Sequence, residues 1–158
     1  MTHLVAAVVV ERPLRLHAGG ERPGVELPAG AGAEPLRVLD ESRSVKFYAD
    51  AFGMHPTYRL AFDDFTLVYL RSAVVDFEIE LTINHGRKEP YDPGTGYGHV
   101  AFVVEDLESE RARLAALGLN PQDIKQFSRG AEKLARFFFL EDPDGYKIEI
   151  LEAYGHYR

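Results

Sequence analysis

The chain has 158 residues, 46% hydrophobic and 27% charged, a composition typical of a globular protein with one ordinary domain or two small modules. Its formal net charge of -7 and its scattered basic residues exclude a nucleic-acid-binding surface, because phosphate recognition needs clustered Lys and Arg. Cysteine is absent, which excludes disulfides and thiolate sites and leaves His, Asp and Glu to hold any metal.

The first 32 residues differ in composition from the rest of the chain. They are rich in Gly, Pro and Ala without periodicity, and we interpret 1–32 as an N-terminal extension with room for one strand at 4–10. That apolar run is too short to span a bilayer, and no basic leader typical of a secretory signal precedes it. The sequence therefore predicts a cytoplasmic protein with no membrane segment.

The next part of the chain predicts a strand, a helix and three further strands. PLRVLD is typical of a short strand, and ESRSVKFYADAFGM has helical spacing, with Ser42 as the predicted N-cap and Gly53 as the stop. Asp63 and Asp64 suit a tight turn between two of the strands. The three strands are predicted at 56–62, 65–71 and 76–84.

After residue 96 the same order of elements begins again. The second half predicts a strand in HVAFVVE, a helix in DLESERARLAALG, a weak strand near 123–128, and strands in KLARFFFLE and YKIEILE separated by the turn DPDG. One such half is too small to bury its own apolar face, so the two should pair around a shared concavity. We predict an α+β fold of two βαβββ modules, at about 33–85 and 97–152, within a single domain at 33–158.

Three metal-competent side chains lie at related places in the repeat. Strand alternation puts Glu80 on one face of its strand, and the repeat superposes it on Glu149, while His99 opens the fifth strand. Taken singly, such glutamates are typical of the wet side of a sheet, and such a histidine is usually structural. Their symmetry favours a site, and we expect all three to converge on one divalent cation.

Four phrases carry a resemblance to a known family. LRVLDESRSVKFYADAFGM, EIELTINHG, GTGYGHVAFVVEDL and FFFLEDPDGYKIEIL resemble the glyoxalase I (lactoylglutathione lyase) branch of the vicinal oxygen chelate superfamily over about 120 residues. The resemblance implies two βαβββ modules paired into an incomplete mixed β-barrel. It also implies a homodimer whose metal sites are completed across subunits. The charge and the short apolar run, in turn, predict no nucleic-acid or membrane partner.

The resemblance also assigns ligands, and one of them is missing. The second-half His and Glu of the family match His99 and Glu149, and the first-half Glu matches Glu80, but the first-half His matches Ala33. Three explanations stay open: a site of three protein ligands completed by water, a site that has lost its metal, or a substitute ligand. The candidate substitutes are Glu34, His3 and His17.

Glyoxalase chemistry is what the resemblance implies for function. A proton moves between adjacent carbons of a 2-oxoaldehyde–thiol hemithioacetal, which needs a cation against two oxygens and a carboxylate that carries the proton. Glu149 is the implied base, with Glu80 as ligand and second proton carrier. The implied cofactors are a divalent metal (nickel, cobalt or zinc, with manganese as a further candidate) and glutathione or another thiol.

Four residues are candidate contacts for an anionic thiol adduct. Arg37 and Asn84 match the family, and Arg129 and Lys133 are predicted in the loop before the seventh strand. Because of Ala33, a non-catalytic, resistance-type binder of small molecules is the alternative function. An iron dioxygenase ranks last, since it needs two His and one carboxylate.

Overall fold

The computed structural model describes residues 33–73 and 75–157, so the predicted strand at 4–10 lies outside the described residues. The predicted repeat of strand, helix and three strands is confirmed. The first module contains β1 (Ala33–Arg37), α1 (Glu41–Phe52), β2 (His55–Ala61), β3 (Phe65–Ser72) and β4 (Val75–Asn84). The second contains β5 (Val100–Val104), α2 (Leu107–Ala116), β6 (Lys125–Arg129), β7 (Glu132–Glu141) and β8 (Lys147–Glu152).

Each module forms one open four-stranded sheet with the same topology. The strand orders are β1-β4-β3-β2 and β5-β8-β7-β6. In both sheets the first strand pairs parallel with the last, and the other neighbours pair antiparallel. The α+β class and the paired βαβββ modules are therefore as predicted.

The helix boundaries follow from local capping. Asp40, not the predicted Ser42, caps α1: its backbone is extended and its carboxylate accepts a hydrogen bond from the Arg43 N–H at 2.8 Å. Ser42 lies inside the helix, so its prediction as the cap is wrong. The helix stops at Gly53 as predicted, where φ is 63° and the N–H reaches the Ala49 carbonyl. Asp106 caps α2 in the same way, through the Ser109 N–H at 2.9 Å.

The larger of the two hydrophobic clusters among the described residues serves both modules. Ile79 and Leu81 of β4 and Ile148 and Ile150 of β8 are buried in the same cluster, together with residues of both helices. Phe52 from the first module stacks on Phe102 from the second, with 4.3 Å between ring centroids. Because side chains alternate along a strand, the opposite face of each sheet points away from this core. The predicted metal ligands Glu80, His99 and Glu149 lie on those opposite faces.

The turn between β7 and β8 binds the first module directly. Asp144 accepts hydrogen bonds from the Leu39 N–H at 3.1 Å and from Ser44 Oγ at 3.3 Å. The Tyr146 hydroxyl contacts both backbone groups of Arg37, donating to its carbonyl at 3.1 Å and accepting from its N–H at 3.2 Å. These contacts fix how the second module sits against the end of β1.

Asp142 in the same turn is a buried carboxyl. It accepts hydrogen bonds from the Tyr48 hydroxyl at 3.0 Å and from the Tyr146 and Asp144 N–H groups, each at 2.9 Å. Burial raises the pKa of Asp142 to about 6, against those hydrogen bonds, which lower it. Across the part of the chain that the structure describes, no helix is long and apolar enough to span a membrane.

Candidate metal centre

The second module holds an imidazole and a carboxylate side by side. His99 immediately precedes β5 and Glu149 lies in β8, and His99 Nε2 is 3.1 Å from Glu149 Oε2. Their side chains are 21% and 13% exposed, so both groups are largely withdrawn from water but remain reachable. Phe139 pairs with Glu149 in the β7–β8 register, and its ring meets the His99 ring edge-on at 5.6 Å. This packing restricts how the imidazole can turn.

The first module holds its glutamate with a tyrosine. Glu80 pairs with Tyr69 across β3 and β4, so the two side chains are neighbours on the same face of the sheet. Tyr69 is only 8% exposed. Burial, and next hydrogen bonding to Glu80, raise the pKa of Tyr69 to about 12, so the phenol keeps its proton and is able to donate to the carboxylate. Beside this pair, Arg71 Nε lies 2.7 Å from a carboxylate oxygen of Glu78.

Strand register identifies Ala33 as the counterpart of His99. Ala33 pairs with the residue two positions before Glu80. Val100 pairs with Ile148, so the preceding residue, His99, lies beside the residue two positions before Glu149. The two pairs therefore occupy equivalent places in the two sheets, and the first module has a methyl group where the second has an imidazole.

Glu34 does not take the place of the missing imidazole. It is 5% exposed and lies on the core side of β1, with Leu36, while Ala33 lies on the Glu80 face. His3 and His17 lie outside the described residues. Among the candidate substitutes that the structure describes, none joins Glu80.

The structure does not bring the three predicted ligands together in one chain. Within residues 33–73 and 75–157 there is no group of three or more His, Cys, Asp or Glu side chains that could hold an ion. His99 and Glu149 form one pair, and Glu80 lies on the other sheet. The expectation of a three-ligand pocket within one chain is therefore wrong. The reason is that both glutamate faces point away from the common core.

The four predicted substrate contacts divide between the modules. Arg37, exposed at the end of β1, shares the Glu80 face, as does Asn84, whose side-chain amide donates to the Tyr91 hydroxyl at 2.8 Å. Arg129 and Lys133 belong to the second module, where they lie in β6 and β7 and not in the predicted loop. Their partners are Glu132 at 2.9 Å for Arg129, and Glu152 at 2.8 Å and the Tyr154 ring for Lys133.

Sequence reasoning did not single out Tyr69. The available signal was alternation, which places Tyr69 with Leu67 and Arg71 on one face of β3. A simple hairpin register would have put Tyr69 opposite Glu78. A bulge between Arg71 and Ser72 shifts the pairing, and Tyr69 meets Glu80 instead.

Comparison with known proteins agrees with this architecture. The family model of the Glyoxalase/Bleomycin resistance protein/Dioxygenase superfamily matches residues 31–150. The lactoylglutathione lyase of Haemophilus influenzae is 39% identical over 127 residues, covering 74% of this chain and 87% of that protein. The lactoylglutathione lyase of Salmonella typhimurium is 36% identical over 126 residues, covering 75% and 88%.

Solved structures give the same answer. The trypanothione-dependent glyoxalase I of Leishmania major superposes with a TM-score of 0.59 at 31% identity, covering 76% of this chain and 84% of that one. The chain therefore belongs to the glyoxalase/bleomycin resistance protein/dioxygenase superfamily. Within it, the similar proteins named here are lactoylglutathione lyases, that is, enzymes of the glyoxalase I type.

Proposed function

We propose that this chain is a glyoxalase I-like lyase that converts a 2-oxoaldehyde–thiol hemithioacetal to the 2-hydroxyacyl thioester. The observation that carries the proposal is the His99–Glu149 pair, with its atoms 3.1 Å apart on the face of the second sheet that points away from the shared core. The similarity to lactoylglutathione lyases over about three quarters of the chain supports the activity class, a carbon–sulfur lyase.

The residues fit a divalent metal. His99 offers an imidazole nitrogen, and Glu149 and Glu80 offer carboxylate oxygens, a donor set that nickel, cobalt, zinc and manganese all accept. Three protein ligands leave room for water and substrate oxygens. When bound, the metal supplies positive charge that stabilises the negative charge developing on two adjacent substrate oxygens.

A second copy of the chain would complete the site. Glu80 and the His99–Glu149 pair lie on different sheets and both face away from the shared core. Two copies related by a twofold axis can set the Glu80 face of one against the His99 face of the other, which makes two equivalent sites. We therefore propose a homodimer, and sedimentation of the untagged protein at micromolar concentration measures it directly.

Glu149 is the proposed base and Glu80 the second proton carrier. In the reaction, a carboxylate removes the proton from the carbon that bears sulfur and returns it to the neighbouring carbon. The hydroxyl proton on the sulfur-bearing carbon moves to the neighbouring carbonyl oxygen, so the first carbon becomes the thioester carbonyl and the second an alcohol. Arg37 and Asn84 beside Glu80, and Arg129 and Lys133 in the second module, are the proposed contacts for carboxylates of the thiol, glutathione or another. Binding through such remote charges positions the reacting carbons.

Two measurements test the proposal. Untagged protein is incubated with nickel, cobalt, zinc or manganese, and its metal content is determined after the free metal is removed. Product formation from methylglyoxal and glutathione is then followed with each loaded sample. We expect one metal per chain and metal-dependent activity, and a protein that keeps no metal and shows no activity contradicts the proposal.

Ala33 supports a second candidate function, a non-catalytic binder of small molecules. With a methyl group at the first ligand position, the first module contributes one metal-competent group where the second contributes two. Such a binder would take up a ligand with near-zero metal content and no turnover. The same metal determination therefore separates the two functions.

A further inference from the structure

Glu149 and Glu80 have different polar neighbours, and this difference leads to a further inference, which rests on the proposed function. In the second sheet, Glu149 has His99 on the side of β5 and the apolar Phe139 opposite it in β7. In the first sheet, the corresponding partner on the side of β1 is missing. The polar partner comes from β3 instead.

We propose that Tyr69 is a positioning residue that replaces the missing imidazole of the first module by holding Glu80 in place for metal binding. The direct cross-strand pairing with Glu80 and the burial of Tyr69 carry this inference, because they put a phenol beside the carboxylate on one face of the sheet. A carboxylate has two oxygens, so a donor on one leaves acceptor capacity for a cation.

The physical reason is the number of ligands. In a site with four protein ligands, the metal itself helps to fix each carboxylate. In a site with three, a carboxylate without a partner is free to rotate, and ordering it costs free energy when the metal binds. A hydroxyl donor at the right register removes part of that cost before the metal binds, as outer hydrogen-bond partners of metal ligands generally do.

The surroundings of Tyr69 suit this role. The ring is almost fully buried and packs against Tyr58 at 6.0 Å between centroids, so its hydroxyl is held by packing. The neighbouring Arg71–Glu78 ion pair neutralises the next carboxylate on the same face. Glu78 is thus paired with a cation, whereas Glu80 lies beside the neutral phenol of Tyr69 and keeps its negative charge for a metal.

The test is a double-mutant cycle on metal affinity. Ni²⁺ binding is measured by titration calorimetry for the wild type, Tyr69→Phe, Ala33→His and the double variant, all without histidine tags. We expect Tyr69→Phe to weaken Ni²⁺ binding by about 10–100-fold, the usual effect of removing an outer partner. In the Ala33→His background, where the imidazole returns, the same change should weaken binding by less than about threefold.

Tyr58→Phe is the matched control. It removes the same hydroxyl group one strand away, from a ring that is 48% exposed, and should leave Ni²⁺ affinity unchanged. Thermal unfolding of the metal-free variants separates positioning from folding: Tyr69→Phe should unfold within a few degrees of the wild type while its metal affinity falls.

Each other outcome overturns the inference. Wild-type affinity in Tyr69→Phe shows that the hydroxyl does not matter for the metal. An equal loss in both backgrounds shows that Tyr69 and the position of Ala33 act independently. If Ala33→His binds Ni²⁺ and the wild type does not, Tyr69 does not replace the imidazole. If no variant binds metal, the proposed function fails together with the inference.

Discussion

The two modules place their glutamates at equivalent points and then surround them differently. Glu149 lies between the imidazole ring of His99 and the apolar ring of Phe139. This arrangement pairs the carboxylate with a group that is itself a proposed metal ligand. The second module therefore contains two adjacent donors before any partner chain is considered.

The first module reverses this arrangement. Glu80 lies between a methyl group, Ala33, and a phenol, Tyr69. The polar partner has moved from the parallel neighbour of the strand to its antiparallel neighbour. The comparison teaches that the duplicated fold fixes where the carboxylate stands, while either adjacent strand can supply the group that holds it.

The largest expected effect tests whether the two glutamates differ in role. Glu149→Gln should lower kcat by about 10³-fold, because it removes the proposed base and general acid–base groups contribute about 10²–10⁴-fold. Glu80→Gln should cause a smaller loss, since Glu80 is proposed chiefly as a ligand. Turnover of methylglyoxal with glutathione measures both variants, with circular dichroism as the folding control. A larger loss in Glu80→Gln would assign the base to the first module.

Removing the imidazole makes the two modules alike. His99→Ala should weaken Ni²⁺ binding by more than about 100-fold, since loss of a ligand exceeds the loss expected for an outer partner. His55→Ala, at an exposed position on β2, is the control and should bind as the wild type does. Calorimetric titration measures both. Unchanged affinity in His99→Ala would remove the second module from the site.

The comparison extends to the β7–β8 turn of the second module, which contains the buried carboxyl of Asp142. The folded protein holds the Asp142 proton up to about pH 6, whereas the unfolded chain releases it near 3.8. The native state thus binds more protons in this window, and the free energy of unfolding should fall as pH rises from about 4 to about 6, by up to about 3 kcal/mol. Urea unfolding across this range measures it.

Asp142→Asn supplies the control for that pH dependence. It removes the titrating group and keeps an oxygen for the backbone N–H groups of the turn, so the slope between about pH 4 and 6 should flatten. Identical slopes in the two proteins would mean that other carboxyl groups cause the dependence.

We expect the smallest effect from a double variant that gives Glu149 in the second module the same neighbours that Glu80 has in the first. Adding Phe139→Tyr to His99→Ala places a hydroxyl opposite Glu149, where Tyr69 stands opposite Glu80. We expect Ni²⁺ affinity to recover by about 10-fold over His99→Ala alone, the lower end of the effect of an outer partner. No recovery would show that the exchange of partners is specific to the surroundings of the first module.

Most of the fold could be predicted from the sequence because each element carries local signals. Alternation in EIELT and YKIEI and the glycines that end the helices lie within a few residues of the structure they specify. The misplaced helix cap has an equally local cause: Asp40 and Ser42 are both good caps, and the sequence alone does not decide between them.

The site was harder to predict, because its parts depend on tertiary geometry. Alternation correctly grouped Glu80 with the polar face of β4, and register makes Ala33 the counterpart of His99. The single-chain pocket was wrong because periodicity says which face a residue takes but not which way that face points in the folded molecule. The pairing of Tyr69 with Glu80 could not be predicted, because it depends on a bulge that no pattern in the sequence indicates.

The contacts of the β7–β8 turn with the first module should hold the two halves together even when the chain between them is cut. Asp144 and Tyr146 bind the backbone at Leu39 and Arg37, and the common core spans both modules, while the segment that joins them, 85–99, is largely exposed. A protease that cuts this connector severs the covalent link without releasing either half. The nicked molecule should stay together as a complementing pair of fragments, and the two halves could be encoded as separate polypeptides.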